Sequence, residues 1–144
     1  MLLRRPVRDQ WPVTASYGYD PSYPANKGWH FGIDYGCPAG TPVYAVQNGH
    51  VRTAAPGQSV GEFLDGIVIL DGAWGTYVEL YHKRANWLSG YAHLSKLKVQ
   101  PGQRVRRGQV LGWSGDTGLT YGPHLHFQII KDGHRPDPTE LLPQ

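Results

Sequence analysis

The sequence predicts a mainly β protein, a single domain built on an antiparallel β-sheet with long loops. Three observations carry that expectation. The 144 residues make one domain and suffice to bury one core. Nineteen glycines and twelve prolines are spread along the chain, so no long stretch escapes a helix breaker, which excludes a helical bundle. Between these breakers, short runs rich in Val, Ile, Tyr and Leu alternate with turn residues, the pattern of antiparallel strands.

In chain order, Pro42–Val46 reads as a strand ended by Asn48-Gly49. Ile67–Leu70 is bracketed by Asp65-Gly66 and Asp71-Gly72, pairs that tolerate positive φ. Tyr77–His82, Leu88–His93, Arg104–Val105, Val110–Trp113 and Leu125–Ile130 follow, the last closed by Asp132-Gly133. The best helical signal is one turn at Pro138–Leu141, where proline takes a first helical position. Residues 1–25, with Pro6, Pro12, Pro21 and Pro24, read as an extended arm over the sheet. No repeat, linker or second domain interrupts 1–144.

Charged residues make up 17% of the chain, with a formal charge of +3 and a pI near 9.1. That suits an anionic polymer as partner but is too weak to argue for nucleic acid, and none is expected. Arg104, Arg106 and Arg107 form the tightest basic cluster after the N-terminal arginines and read as a solvated hairpin face. The single cysteine, Cys37, excludes a disulfide framework and a cysteine-based zinc site; it reads as a small buried apolar residue. The opening MLLRRPVRDQWP lacks the apolar run of about 7–15 residues of a secretory signal. No segment approaches about 18 consecutive apolar residues, so no membrane span is expected.

Seven histidines are present, and their placement says more than their number. His30 and Asp34 form an HxxxD motif, and His124 and His126 an HxH motif; either alone is weakly specific. On a strand, residues i and i+2 share a face, so His124 and His126 project together about 6–7 Å apart while Leu125 and Phe127 face the core. Two imidazoles on one exposed sheet face have little structural use, whereas neutral imidazole is a good zinc ligand. The three glycines of GWHFGIDYG resist a helix and predict a bent, extended segment in which backbone comes close to the site. Two histidines and one carboxylate leave a tetrahedral zinc one open position, the pattern of a catalytic site. His93 stands at the end of a predicted strand. Residue chemistry alone leaves open which of His30, His93, His124 and His126 hold metal and which act on substrate. His50, His82 and His134 read as solvated or strand-edge residues.

The run from Val99 to Phe127, VQPGQRVRRGQVLGWSGDTGLTYGPHLHF, preceded by GYAHLS and WHFGID, resembles the lysostaphin-type (LytM-like) zinc metallopeptidases that cut bacterial peptidoglycan. The resemblance spans about Pro12 to Pro143, with the three motifs in the family's order. It implies the duplicated hybrid-motif fold, a small antiparallel sheet crossed by a substrate groove. By position it implies His30, Asp34 and His126 as ligands of one zinc ion, and His93 and His124 as the catalytic histidines. Tyr91 and Tyr121 stand beside the motifs and are candidate substrate-binding residues. The implied activity is hydrolysis of peptide cross-links by a monomer; the alternative is an inactive relative that binds wall or activates a hydrolase. VQPGQRVRRGQVLGWSG also resembles half of a lipoyl or biotinyl carrier domain, but no modifiable lysine tip is present. With no export signal seen, the expected setting is the host cytoplasm until release, as for a phage endolysin, or a virion, as for a virion-associated lysin, acting on the cell wall or periplasm; a host protein trimmed of its leader would look the same. Between Arg52 and Tyr77 the chain departs from the family pattern, and residues 54–75 are expected to add a hairpin or loop at the groove rim.

Overall fold

The computed structural model describes residues 3–56, 63–65, 67–68 and 73–143. Its strands are β1 (Val13–Ala15), β2 (Gly18–Tyr19), β3 (Trp29–His30), β4 (Ile33–Tyr35), β5 (Pro42–Tyr44), β6 (Gly49–Ala55), β7 (Phe63–Leu64), β8 (Ile67–Val68), β9 (Thr76–His82), β10 (Trp87–Leu97), β11 (Arg104–Val105), β12 (Val110–Ser114) and β13 (Leu125–Ile130). Among the described residues, helix is confined to 3-10 turns at Asn26–Gly28 and Thr139–Leu141. Among the described residues no helix is long and apolar enough to cross a membrane.

The main sheet runs β1-β4-β13-β10-β9-β6-β11, with β12 pairing β10 and β5. Every pairing in it is antiparallel. Alternation along its central strands gives the sheet two different faces. On one face Leu125 and Phe127 of β13, Tyr91 and Leu94 of β10, and Val78 and Leu80 of β9 are fully buried in the main core. On the other, Trp74, Tyr77, Ala92 and Ile130 form a second, smaller cluster.

The sequence misplaced several elements for identifiable reasons. Residues 1–25 do more than lie over the sheet: Leu3 and Val7 are core residues, and β1 pairs with β4 as an edge strand. Asn48-Gly49 makes no positive-φ turn; Gly49 opens β6, where an added Cβ would come 2.8 Å from the Tyr81 carbonyl oxygen. By contrast Asp132 and Gly133 do take positive φ, 53° and 76°, in the turn after β13. The strand foreseen at Leu88–His93 continues to Leu97, because the register shifts between Tyr91 and Leu94 and His93 takes a φ of 62°. That bulge absorbs the extra residue and lets the strand run on.

In the 54–75 segment, β7 and β8 form a small antiparallel ladder around Asp65. The Asp65 N–H donates to the Gly133 carbonyl at 3.0 Å, and its carboxylate accepts from the Arg135 N–H at 2.9 Å and from Arg135 Nε at 2.6 Å. Gly66, Ile69, Leu70 and the Asp71-Gly72 pair lie outside the described residues.

Candidate active site

The β4–β13 ladder builds the site. Its register sets His126 opposite Asp34 and Phe127 opposite Ile33. Ile33 and Tyr35 turn into the core, so Asp34 turns to the other face, beside His126. Gly32 permits this closeness: a Cβ there would lie 2.5 Å from the Phe127 carbonyl oxygen and 2.6 Å from His126 Cε1. His30 enters from β3. Its Nε2 lies 3.2 Å from Asp34 Oδ1 and 3.3 Å from His126 Nδ1, and His126 Nδ1 lies 2.9 Å from Asp34 Oδ1.

The outward nitrogens of both rings have defined partners. His30 Nδ1–H donates to the Ser16 carbonyl at 3.0 Å, and His126 Nε2–H to Gln128 Oε1 at 2.9 Å. With the rings neutral, these bonds leave the His30 Nε2 lone pair, the His126 Nδ1 lone pair and a carboxylate oxygen converging on one point. Three acceptors without a shared proton repel, and a cation removes the repulsion. The donor set of two imidazoles and one carboxylate is what a zinc ion with an open position takes, so the residues present fit such a group. Burial pushes His126 down, towards the neutral form a ligand needs. Burial would raise Asp34, but the adjoining His126 and His30 outweigh it and hold the carboxyl well below its usual range.

Two further imidazoles flank this cluster. The positive φ of His93 swings its side chain to the site face, out of the core-facing alternation of Tyr91 and Leu94. His93 Nδ1–H donates to the Thr117 carbonyl at 2.7 Å, and His124 Nδ1–H to the Gly122 carbonyl at 2.8 Å. Both rings therefore carry their lone pair on Nε2. Their centroids are 4.9 Å apart, and His124 Nε2 is 3.8 Å from Asp34 Oδ1. Burial, followed by the neighbouring His126, pushes His93 down to about 4, so it is neutral at pH 7 with its Nε2 lone pair unprotonated.

An open groove of about 860 Å³ runs over His30, Asp34 and His124, walled by Tyr19, Tyr23 and Tyr121. Tyr121 is 83% exposed at its rim. Tyr91, the other tyrosine expected to meet substrate, does not reach it. Its ring is fully buried against Phe127 on the core face, and its hydroxyl accepts from the Val46 N–H at 3.1 Å and bonds Ser89 Oγ at 2.9 Å. Strand alternation, which pairs Tyr91 with the core side, decides this.

Two other expectations fail. The face bearing His126 is not exposed: Trp74 stacks on the imidazole, centroids 5.2 Å apart and planes 13° from parallel. His82 is not solvated either. It is buried, with Nδ1–H donating to the Asn48 carbonyl at 2.7 Å, Nε2 accepting from Ser89 Oγ at 2.8 Å, and its ring stacked on Trp87. Cys37 packs in the core. The partners the sequence did not reveal are Ser16, Thr117 and Gly122, which act through backbone carbonyls, together with Trp74 and Gln128. Only Gln128 had a legible signal, two residues after His126 on one strand face.

A small antiparallel sheet carrying such a cluster under an open groove defines a class, the zinc-dependent hydrolases. Residues 28–138 match the sequence profile of Peptidase family M23. The chain belongs to that family, whose enzymes are zinc metalloenzymes. It is 42% identical over 114 residues to the glycyl-glycine endopeptidase ALE-1 of Staphylococcus capitis, covering 78% of this chain and 28% of that protein. It is 35% identical over 135 residues to the peptidoglycan DD-endopeptidase ShyA of Vibrio cholerae, covering 90% and 27%. The chain thus spans under a third of the length of these curated relatives. Among solved structures, the catalytic domain of lysostaphin from Staphylococcus simulans superposes with a TM-score of 0.74 at 30% identity, covering 92% of each chain. A zinc-containing peptidase from Vibrio cholerae gives 0.75 at 27% identity, covering 95% of this chain and 39% of that one.

Proposed function

We propose that this domain is a zinc endopeptidase that hydrolyses peptide cross-links of bacterial peptidoglycan, with His30, Asp34 and His126 holding one metal ion and His93 and His124 moving protons. The observation that carries the reading is the convergence of three lone-pair acceptors beside two further imidazoles whose lone pairs are on Nε2, that of His124 lying 3.8 Å from Asp34 Oδ1. When bound, zinc supplies Lewis acidity that polarises the scissile carbonyl. The chain's residues do the rest. His93 and His124 each accept a proton at Nε2, and a proton taken from the attacking water can be handed on to the leaving amine nitrogen. In its charged form the same Nε2–H donates to the oxyanion that develops on the carbonyl. The Thr117 and Gly122 carbonyls hold these rings in the required tautomer. A protein that only bound wall would have no use for two proton acceptors set this way.

Tyr121, exposed at the rim, supports a role in holding the peptide. The open, tyrosine-walled groove suits an extended strand of substrate. That ALE-1 and ShyA are both endopeptidases supports the cleaved bond being an internal peptide bond. The setting we infer is the cell wall, reached by a monomer either released from the cytoplasm as an endolysin is or carried from outside as a virion-borne lysin is, with bacteriolytic action as the result. Digestion of purified sacculi tests the reading. Cross-linked dimers should convert to monomers with new free amino groups; new reducing sugar ends, or cleavage confined to the lactyl–alanine amide, would refute it.

A further inference from the structure

Gln128, Gly90 and Glu79 stand opposite one another on β13, β10 and β9. Opposed residues on antiparallel neighbours share a face, here the face that carries His126. Tyr77, two residues before Glu79, shares it too. Gly90 leaves the middle of this row without a side chain; a Cβ there would collide with the Tyr77 hydroxyl and lie 3.0 Å from Gln128 Cγ. The hydroxyl occupies the gap. It donates to Glu79 Oε2 at 2.9 Å and accepts from Gln128 Nε2 at 3.3 Å, while Gln128 Oε1 accepts from His126 Nε2–H at 2.9 Å. Gln128, Tyr77 and Glu79 are all buried, at 0%, 2% and 4% exposure.

The row has a direction. A carboxylate, with Arg52 Nη1 3.6 Å from Oε1, can only accept. Tyr77 must therefore point its proton at Glu79 and accept from the Gln128 amide nitrogen. The amide oxygen is then the atom that faces His126, so the ring keeps its proton on Nε2. Its lone pair is left on Nδ1, the atom 2.9 Å from Asp34 Oδ1. Reversal at any link would turn an N–H of Gln128 towards His126 and move the ring proton to Nδ1, where it would block a ligand position.

We infer that Glu79, Tyr77 and Gln128 form a directional hydrogen-bond relay that fixes the tautomer of His126, which makes Gln128 and Glu79 positioning residues for the metal. The inference rests on His126 being a ligand, as proposed above. Hydrogen-bonded partners of metal-binding histidines commonly change affinity by about 10–100-fold when removed. What the row adds is control from a carboxylate three groups away, across three strands.

The test measures zinc dissociation constants of the full chain by competition with a chromogenic chelator, with thermal unfolding of the metal-free protein alongside. Gln128→Leu should weaken zinc binding by about 10–100-fold. Glu79→Gln should weaken it as well, because the new amide can donate to Tyr77 and reverse the row. Adding Gln128→Glu to Glu79→Gln should recover most of that loss: the new carboxylate accepts from both His126 and Tyr77, so an acceptor again faces His126 Nε2–H even though the Tyr77 link now runs the other way. If Gln128→Leu does not fold, Tyr77→Phe removes only the hydroxyl and should still weaken binding. Unchanged zinc affinity in the single variants, with only the melting temperature lowered, would reduce the row to packing and overturn the proposal. A double variant no tighter than Glu79→Gln alone would overturn the proposal that the row acts by keeping an acceptor towards His126. Should the wild-type chain bind no zinc, the ligand assignment fails instead. The relay is then read separately by nitrogen-15 NMR of the His126 ring, with the Nε2 proton present in wild type and lost in Glu79→Gln.

Discussion

Asp34 and His126 face each other across the β4–β13 ladder with Oδ1 and Nδ1 2.9 Å apart, closer than either lies to His30 Nε2. A carboxylate this near an imidazole lone pair sets the zinc site's charge. Asp34→Ala should fold yet lose most of its metal, as read by elemental analysis of purified protein, and a strong chelator should abolish activity in the wild type. Stoichiometric zinc in the variant would sink the ligand assignment. Because His126 must be neutral to hold metal and burial already holds it below its ordinary range, zinc affinity should weaken only as pH falls below that range.

The flanking histidines should separate from the ligands. His124→Ala and His93→Asn are expected to keep zinc and lose activity by roughly 10²–10⁴-fold, the range of an acid–base or oxyanion role. Asparagine is the better probe at 93, since it tolerates the positive φ there. If His124→Ala sheds metal while His126→Ala retains it, the two roles are reversed.

Tyr121 and Tyr91 should behave in opposite ways. Tyr121→Ala is expected to raise KM for peptidoglycan fragments with zinc content and melting temperature unchanged. Tyr91→Phe leaves the Val46 N–H buried without its acceptor and should cost about 1–3 kcal/mol of stability in chemical denaturation. Its activity per folded molecule should be that of wild type. A substrate effect at Tyr91 would contradict its placement in the core.

His82 supplies a pH dependence far from the metal. Burial lowers its pKa from the ordinary 6.5, although its bond to Asn48 opposes this. Below 6.5 the unfolded chain therefore takes up a proton that the folded chain refuses, so stability falls as pH falls through that window. With chelator present throughout, the melting temperature should drop between pH 7 and pH 5. The drop should be smaller in His82→Gln; equal drops would show that another group is responsible.

The parts of this protein that the sequence disclosed are those governed by local pattern. Leu125 and Phe127 alternate with His126, so the strand, its core face and one candidate ligand were all legible. His30 and Asp34 were visible as a motif, but the bend at Gly32 that joins them to His126 depends on contact with a strand 90-odd residues away. β6 was missed because GHVRTAA does not alternate cleanly, and it owes its existence to pairing with β9 and β11. Neither the bulge at His93 nor the burial of His82 leaves a trace in composition, since both arise from register between distant strands.

The Ser16 carbonyl that fixes His30 lies outside the stretch by which the family is recognised, which begins at residue 28. So do Leu3 and Val7, which plug the core, and β1, which borders the strand bearing Asp34. The unit that holds the site together is therefore larger than the recognisable one. Anyone excising this domain to build a chimera along the family boundary would keep all five polar site residues and discard the brace behind one of them. Such a truncation would look complete in an alignment and still leave His30 free to turn. Joining partners upstream of Leu3 preserves the brace.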